Sequence, residues 1–210
     1  MRRATALSAC LLFTALAPAA WAGDVVFSVV DARNKPVADA VITAFPPGLK
    51  SGAIRFAWPQ QMDQHSLQFD PFVLIVPVGA DVSFPNRDAV RHHVYSFSPA
   101  HPFELKLYGK EESRRVRFEH AGVVALGCNI HDNMVAFIKV VDTPYAAKTD
   151  AQGRAVLRGL PVGSAPVRIW HPYLRAAGNE IARTLTVGPG EARETVQVDV
   201  RNAPDRRGSY

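Results

Sequence analysis

The chain has 210 residues, 48% of them apolar, and carries 24 Lys and Arg against 19 Asp and Glu, a formal charge of +5. That length suffices for one or two small cores. The charge excess is too mild for a nucleic-acid-binding surface, and no lysine run or interleaved stacking aromatics supports one, so no nucleic acid is expected as a partner.

Residues 1–22 read as a signal peptide. Arg2 and Arg3 form the charged region, Leu7 to Leu16 is mostly apolar, and Ala20-Trp21-Ala22 is a small-x-small cleavage site. The apolar run is too short for a membrane span, and none is expected after cleavage. Leu7-Ser8-Ala9-Cys10 mimics a lipoprotein cleavage box but lies too close to Arg3, and the apolar stretch continues past it. Cleavage leaves about 188 residues, with 22 basic against 19 acidic side chains, and takes Cys10 away. Cys128 is then the lone cysteine of a chain in an oxidising compartment, the periplasm. Secreted proteins normally pair their thiols, and coordination to a metal protects one that is unpaired.

Long helical periodicity is absent. Short β-branched runs separated by Gly, Pro, Asn and Asp make the fold class all-β. Strands are expected at Val25–Val30, Val41–Phe45, Val73–Val76, Asp81–Phe84, Val94–Phe97, Arg115–Phe118, Val123–Leu126 and Ala136–Val141. Four more follow at Ala155–Leu157, Val167–Trp170, Thr184–Val187 and Thr195–Val200. Turns fall at Asn34-Lys35-Pro36, Val78-Gly79-Ala80, Gln152-Gly153 and Gly188-Pro189-Gly190. Residues 201–210 are polar, contain Pro204 and Gly208, and are expected to form a flexible tail.

The chemistry is concentrated in Gly127-Cys128-Asn129-Ile130-His131-Asp132-Asn133-Met134. A thiolate, an imidazole and a thioether lie within seven residues. Upstream, Asn86-Arg87-Asp88-Ala89-Val90-Arg91-His92-His93 offers a further imidazole from either histidine. Two His, one Cys and a weak axial Met are the donor set of a blue-copper electron-transfer site. A short loop between two strands can turn Cys128, His131 and Met134 onto one ion while a distant strand end supplies the fourth donor. His92 and His93 alternate on a strand, so only one can bind directly. Asn86, Arg87 and Asp88 are expected to brace the turn, with no direct role. His65, His101, His120 and His171 lack liganding spacing. Tyr95, Phe97 and Phe103 are expected to pack in the core or a cleft.

Two resemblances follow. The segments Val29–Val41 and Lys148–Leu157, with Leu160-Pro161-Val162-Gly163 and Arg168-Ile169-Trp170-His171-Pro172 after them, resemble the front and back of a carboxypeptidase-regulatory-like β-sandwich. There Asn34 stands where the turn glycine is usual. Phe69 to Asn86 and Val116 to Cys128, closed by Val135–Val141, resemble the cupredoxin family. The likeness is to amicyanin-like and methylamine-utilization-type periplasmic proteins, which share the C-x-x-H-x-x-M loop and the N-R-acidic-A-x-x-H approach. Together these imply a cupredoxin Greek-key sandwich over residues 53–143, inserted in or packed beside a second small sandwich from 24–52 and 144–200. The family order His-Asn-apolar places the upstream ligand at His92, with His93 at the Asn position. Leu126-Gly127 departs from an aromatic neighbour of the cysteine, and Asn129-Ile130 from a proline between ligands. Asp132 directly follows His131.

The resemblance implies one type 1 copper ion held by His92, Cys128, His131 and Met134, and a carrier of single electrons between protein redox partners rather than an enzyme. The alternatives are a periplasmic copper carrier or sensor, and a non-catalytic binding module with a vestigial metal site.

Overall fold

The structure, a computed structural model, describes residues 22–49 and 52–202. The expected signal peptide, apart from Ala22, and most of the expected tail lie outside the described residues. In chain order the strands are β1 (Ala22–Val30), β2 (Val41–Ala44), β3 (Asp63–His65), β4 (Gln68–Asp70), β5 (Val73–Pro77), β6 (Ala80–Pro85), β7 (His92–Ser96) and β8 (Phe103–Tyr108). They continue with β9 (Ser113–Phe118), β10 (Gly122–Cys128), β11 (His131–Val141), β12 (Ala146–Lys148), β13 (Arg154–Pro161), β14 (Gly163–Trp170), β15 (Glu180–Val187) and β16 (Gly190–Gln197). The described residues contain no α-helix, and no helix is long and apolar enough to cross a membrane.

The first and last strands of the chain build one sandwich. One sheet runs β13-β1-β16 and the other β12-β2-β14-β15. Their inner faces supply an alternating apolar core that includes Val25, Phe27, Val29, Ile42, Leu157, Ile169 and Leu185. Side-chain bonds tie residues more than 100 positions apart: Thr149 Oγ1 accepts from the Ala40 amide at 2.9 Å and donates to the Val37 carbonyl at 2.7 Å. Asn34 adopts φ 60° in the first turn, where Asp31 Oδ1 accepts from the amides of Arg33 and Lys35 at 2.7 and 2.8 Å.

The intervening strands build a second sandwich. A five-stranded sheet, β5-β11-β10-β7-β8, faces the pairs β6-β9 and β3-β4. Its core holds Val82, Phe84, Val94, Phe118, Leu126, Met134 and Ile138. Strand β11 shows how the sandwiches meet. Met134, Ala136, Ile138 and Val140 point into its own core. Phe137 points the other way, edge-on to Trp170 at 5.9 Å and to Phe72 at 5.5 Å between centroids. Lys139 lies 5.4 Å from the Trp170 ring centroid and 2.9 Å from Glu180. A seam of Val41, Phe72, Val73, Ile75, Val141, Ala146 and Trp170 therefore joins the two units.

Four strands lie outside the expected set: β3, β4, β8 and β12. Strands β3 and β4 are three residues each, joined by a turn without Gly or Asn, and β12 is Ala-Ala-Lys with low strand propensity. Phe97, 85% exposed just beyond the end of β7, packs on the Tyr95 ring at 5.0 Å in a shallow cleft with Leu126 and Val135 rather than in a core.

Gly153 carries a checkable consequence. It sits at φ 72°, and a Cβ there would stand 2.5 Å from the Val29 carbonyl oxygen. Gly153→Ala should cost about 1–3 kcal/mol, because strain and a backbone collision add. Denaturant unfolding checks this, and an unchanged midpoint would contradict the packing of the 150–153 turn on β1.

Candidate metal centre

Three neighbouring strands bring the donors to one end of the central sandwich. Strand β10 ends on Cys128, a two-residue turn follows, and β11 begins on His131, with Cys128 opposite His131 after a bulge at Gly127. Strand β7 opens on His92, and Cys128 lies opposite Val94 in its register. His92 is fully buried, Cys128 nearly so, and His131 half-buried.

The donor atoms converge. The two Nδ1 atoms of His92 and His131 are 3.2 Å apart. Cys128 Sγ is 3.9 Å from His92 Nδ1 and 3.6 Å from His131 Nδ1. Metal–nitrogen and metal–sulfur bonds of about 2.0–2.3 Å, at angles between tetrahedral and trigonal, separate donors by roughly 3.3–3.7 Å. The observed spacings of 3.2, 3.6 and 3.9 Å lie in or close to that range, so the three residues fit one ion with only small shifts of the side chains. Two imidazoles and a thiolate suit copper, with one weak position left to choose. This is the one convergent group of His, Cys, Asp and Glu ligand atoms among the described residues.

Met134 is fully buried in the same apolar cluster as Cys128, three residues beyond His131 on β11. His93 turns to the opposite face, where its Nε2 meets Glu104 Oε1 at 2.8 Å. Its carbonyl accepts from the Asn129 amide at 3.2 Å and so steadies the turn between Cys128 and His131. Asp132 is exposed. His65 and His120 are exposed, His101 packs on Phe118 at 4.8 Å, and His171 is buried in the outer sandwich.

Asp88 does more than brace a turn. Its Oδ2 lies 2.8 Å from His92 Nε2. The Nε2 hydrogen is thereby donated to a carboxylate, and the Nδ1 lone pair is left facing Cys128 and His131. Burial alone would raise the Asp88 pKa, but bonds from the Leu67 amide, the His92 ring and the Ser66 amide outweigh it and hold the carboxyl below its usual range. The i, i+4 spacing of Asp88 and His92 was visible in the sequence, yet without the turn geometry it carries no direction.

Asn86 anchors the same segment. Fully buried, it donates from Nδ2 to the carbonyls of Val90 at 2.8 Å and Tyr108 at 3.2 Å. The Tyr108 hydroxyl donates to the Phe84 carbonyl at 2.9 Å. Burial, opposed by the Gln64 hydrogen bond, pushes its pKa up to about 12. The missing aromatic neighbour of the cysteine also finds an explanation. A Cβ on Gly127 would lie 2.8 Å from Tyr95 Cζ. The Tyr95 ring, from the adjacent strand, occupies the space that a side chain at 127 would need.

A sandwich with a thiolate and an imidazole flanking a turn at one end, and a second imidazole heading the neighbouring strand, is cupredoxin-like. Its His-Cys-His cluster fits a copper protein. No protein-family model matches the chain, and no curated protein matches it. Similar solved structures include a purple cupredoxin from Nitrosopumilus maritimus, 22% identical, spanning 39% of this chain and 98% of that one at a TM-score of 0.35. An oxidized mutant of amicyanin is 25% identical over 49% of this chain and 99% of that one, at 0.36. A copper-containing nitrite reductase from Thermus scotoductus SA-01 is 25% identical over 56% of this chain but 28% of that one, at 0.38.

The buried rings give a pH test. Burial pushes His92 and His171 below the ordinary imidazole value, against the upward pull of Asp88 and Asp39. The unfolded chain therefore protonates these rings first. Stability from keeping them neutral is full above about pH 6.5 and is lost as pH falls through the lowered values. The metal-free protein should show a lower denaturation midpoint at about pH 5.5 than at about pH 7.5. Equal midpoints would show that neither ring is held neutral.

Proposed function

We propose that this chain is a periplasmic type 1 copper protein that carries single electrons between protein redox partners. The observation that carries the reading is the approach of two imidazole Nδ1 atoms and one thiol to within 3.2–3.9 Å of one another at a mostly buried strand end. In this reading His92, Cys128 and His131 are the strong ligands and Met134 the weak axial one. Residues 53–143 form the copper module, inserted into a sandwich built from 24–52 and 144–200. The pairing of β1 with β13 and β16, and of β2 with β12 and β14, supports that division.

Bound copper would supply a one-electron couple between Cu(II) and Cu(I). The chain's own part is to hold geometry. His92, fixed by Asp88, and Cys128, fixed between strands, cannot reorient much between oxidation states. The apolar cluster around Cys128 and Met134 excludes water. His131, half-buried, stands beside exposed Ile130, and Val90 is exposed on the turn leading to His92. Such an apolar rim around a partly exposed ligand suits brief docking of a partner.

Loading with Cu(II) should produce an intense thiolate-to-copper visible band, and Cys128→Ser should abolish it while far-ultraviolet circular dichroism stays that of the folded sandwiches. A wild-type protein without the band refutes the reading. Voltammetry tests the axial position: Met134→Leu should raise the potential and Met134→Gln should lower it, because an amide oxygen favours Cu(II) and an apolar side chain does not. Equal potentials would place Met134 outside the coordination sphere.

A further inference from the structure

Strands β3 and β4 form a hairpin that the sequence patterns miss, and its turn does something specific. Ser66 and Leu67, the two turn residues, stand at φ 54° and 57°. Turns of this mirror-image type favour Asn-Gly, because L side chains resist positive φ. Ser and Leu hold the conformation here, and both of their amides aim at one carboxylate. The Ser66 amide lies 2.6 Å from Asp88 Oδ1 and the Leu67 amide 3.0 Å from Asp88 Oδ2. Oδ2 is the oxygen that also meets His92 Nε2. Asp88 is itself 14% exposed in its side chain, so without those donors its carboxylate could turn to water.

The hairpin is fastened on its other side to the core. Gln64, on β3, is fully buried, and its carbonyl accepts from the Arg87 amide at 2.8 Å. Its side-chain amide donates to the Tyr108 hydroxyl and to the Phe84 carbonyl. Asp88's own amide donates to Asn86 Oδ1 at 2.9 Å. The carboxylate is thus held from two directions, by the hairpin turn and by the segment that carries it.

We propose that the β3–β4 turn is a positioning element of the metal centre: the amides of Ser66 and Leu67 fix the Asp88 carboxylate, and through it the tautomer and plane of the His92 ring. Releasing the turn frees the carboxylate to rotate. His92 Nε2 then loses its acceptor, and the ring proton can move to Nδ1, the atom that faces Cys128 and His131. Two residues 25 and 26 positions upstream of the imidazole, acting on it through Asp88, would then govern whether its lone pair is available.

The inference rests on the copper reading, and the two can fail separately because the first readout needs no metal. Inserting one glycine between Ser66 and Leu67 moves the amides away from Asp88 at a hairpin tip, where insertions are tolerated. Ser66→Val, whose branched side chain resists the turn's φ, displaces the same amides more mildly. The control is Ser66→Asn combined with Leu67→Gly, the favoured pair for this turn, which keeps both amides in place. Long-range nitrogen–proton correlation spectra of the metal-free proteins report the His92 tautomer. Wild type and control should show a single Nε2-protonated ring, whereas the insertion, Ser66→Val and Asp88→Ala should show mixed tautomers. Copper release from the loaded proteins should be at least about tenfold faster in the insertion and in Asp88→Ala. Wild-type tautomer and release rate in the insertion variant would overturn the proposal, and should that variant not fold, a wild-type tautomer in Ser66→Val would do so. A wild-type protein that binds no copper sinks the functional reading, while the tautomer comparison still decides the role of the turn.

Discussion

The meeting of His92 Nδ1, His131 Nδ1 and Cys128 Sγ sets the demands on everything around it. Three donor atoms within 4 Å of one another need a proton or a cation between them, because their lone pairs otherwise repel, so the fold must hold them in place. It does so with backbone pairing. Cys128 and His131 face each other across β10 and β11, and β7 locks beside β10 through Gly127 opposite Tyr95 and Cys128 opposite Val94. The core beneath, with Phe84, Phe118, Leu126 and Met134 fully or nearly fully buried, resists the opening that would let the donors separate.

Much of this arrangement is legible in the chain. The C-x-x-H spacing places a thiol and an imidazole on the two arms of a tight turn, and β-branched runs mark most of the strands. Asn34, which tolerates left-handed geometry, stands where such a residue is needed. The choice between His92 and His93 follows from strand alternation only in part: alternation says that the rings diverge, and a family likeness says which one turns inward. What is hidden in the sequence is whatever depends on partners far away. Asp88 reads as turn chemistry until its Oδ2 is seen against His92. Tyr95 reads as packing until it is seen filling the space over Gly127. The β3–β4 turn escapes because Ser-Leu is a poor match for the geometry it adopts. Strand β8, Phe103-Glu104-Leu105-Lys106-Leu107-Tyr108, does alternate and was open to detection by period alone.

The outer sandwich, built from the first and last strands, changes which faces of the central one are accessible. Its Trp170 and Tyr173, with Phe72 and Phe137, cover the outer face of β5 and β11 away from the donor end. Val73 and Ile75, on an edge strand, lie buried under that seam, and two of the edge carbonyls accept from side chains, Val73 from Lys148 at 2.9 Å and Ile75 from the Trp58 indole at 2.8 Å. An edge that could otherwise pair with another chain is thereby blunted. Among the exposed large apolar residues, Val90, Phe97 and Ile130 lie just before and after the upstream histidines and in the turn between Cys128 and His131, whereas Trp58, Val78, Leu107 and Val162 lie elsewhere.

The parallel pairing of β1 with β16 has a consequence for the order in which the molecule can form. Val25 lies beside Ala192, so the outer sandwich cannot close until nearly the whole chain is available. The central strands make their contacts within a continuous stretch that is complete once β11 has emerged. Contacts between distant segments carry the larger loop-closure entropy and form late. As the polypeptide emerges with its N-terminus first, the sandwich that gathers His92, Cys128 and His131 can therefore assemble while β1 and β2 still wait for their partners. During that interval the apolar inner faces of β1 and β2 are unpaired, and the span when the chain is most open to misassociation is set by its last fifty residues rather than by the segment that bears the histidines and the thiol.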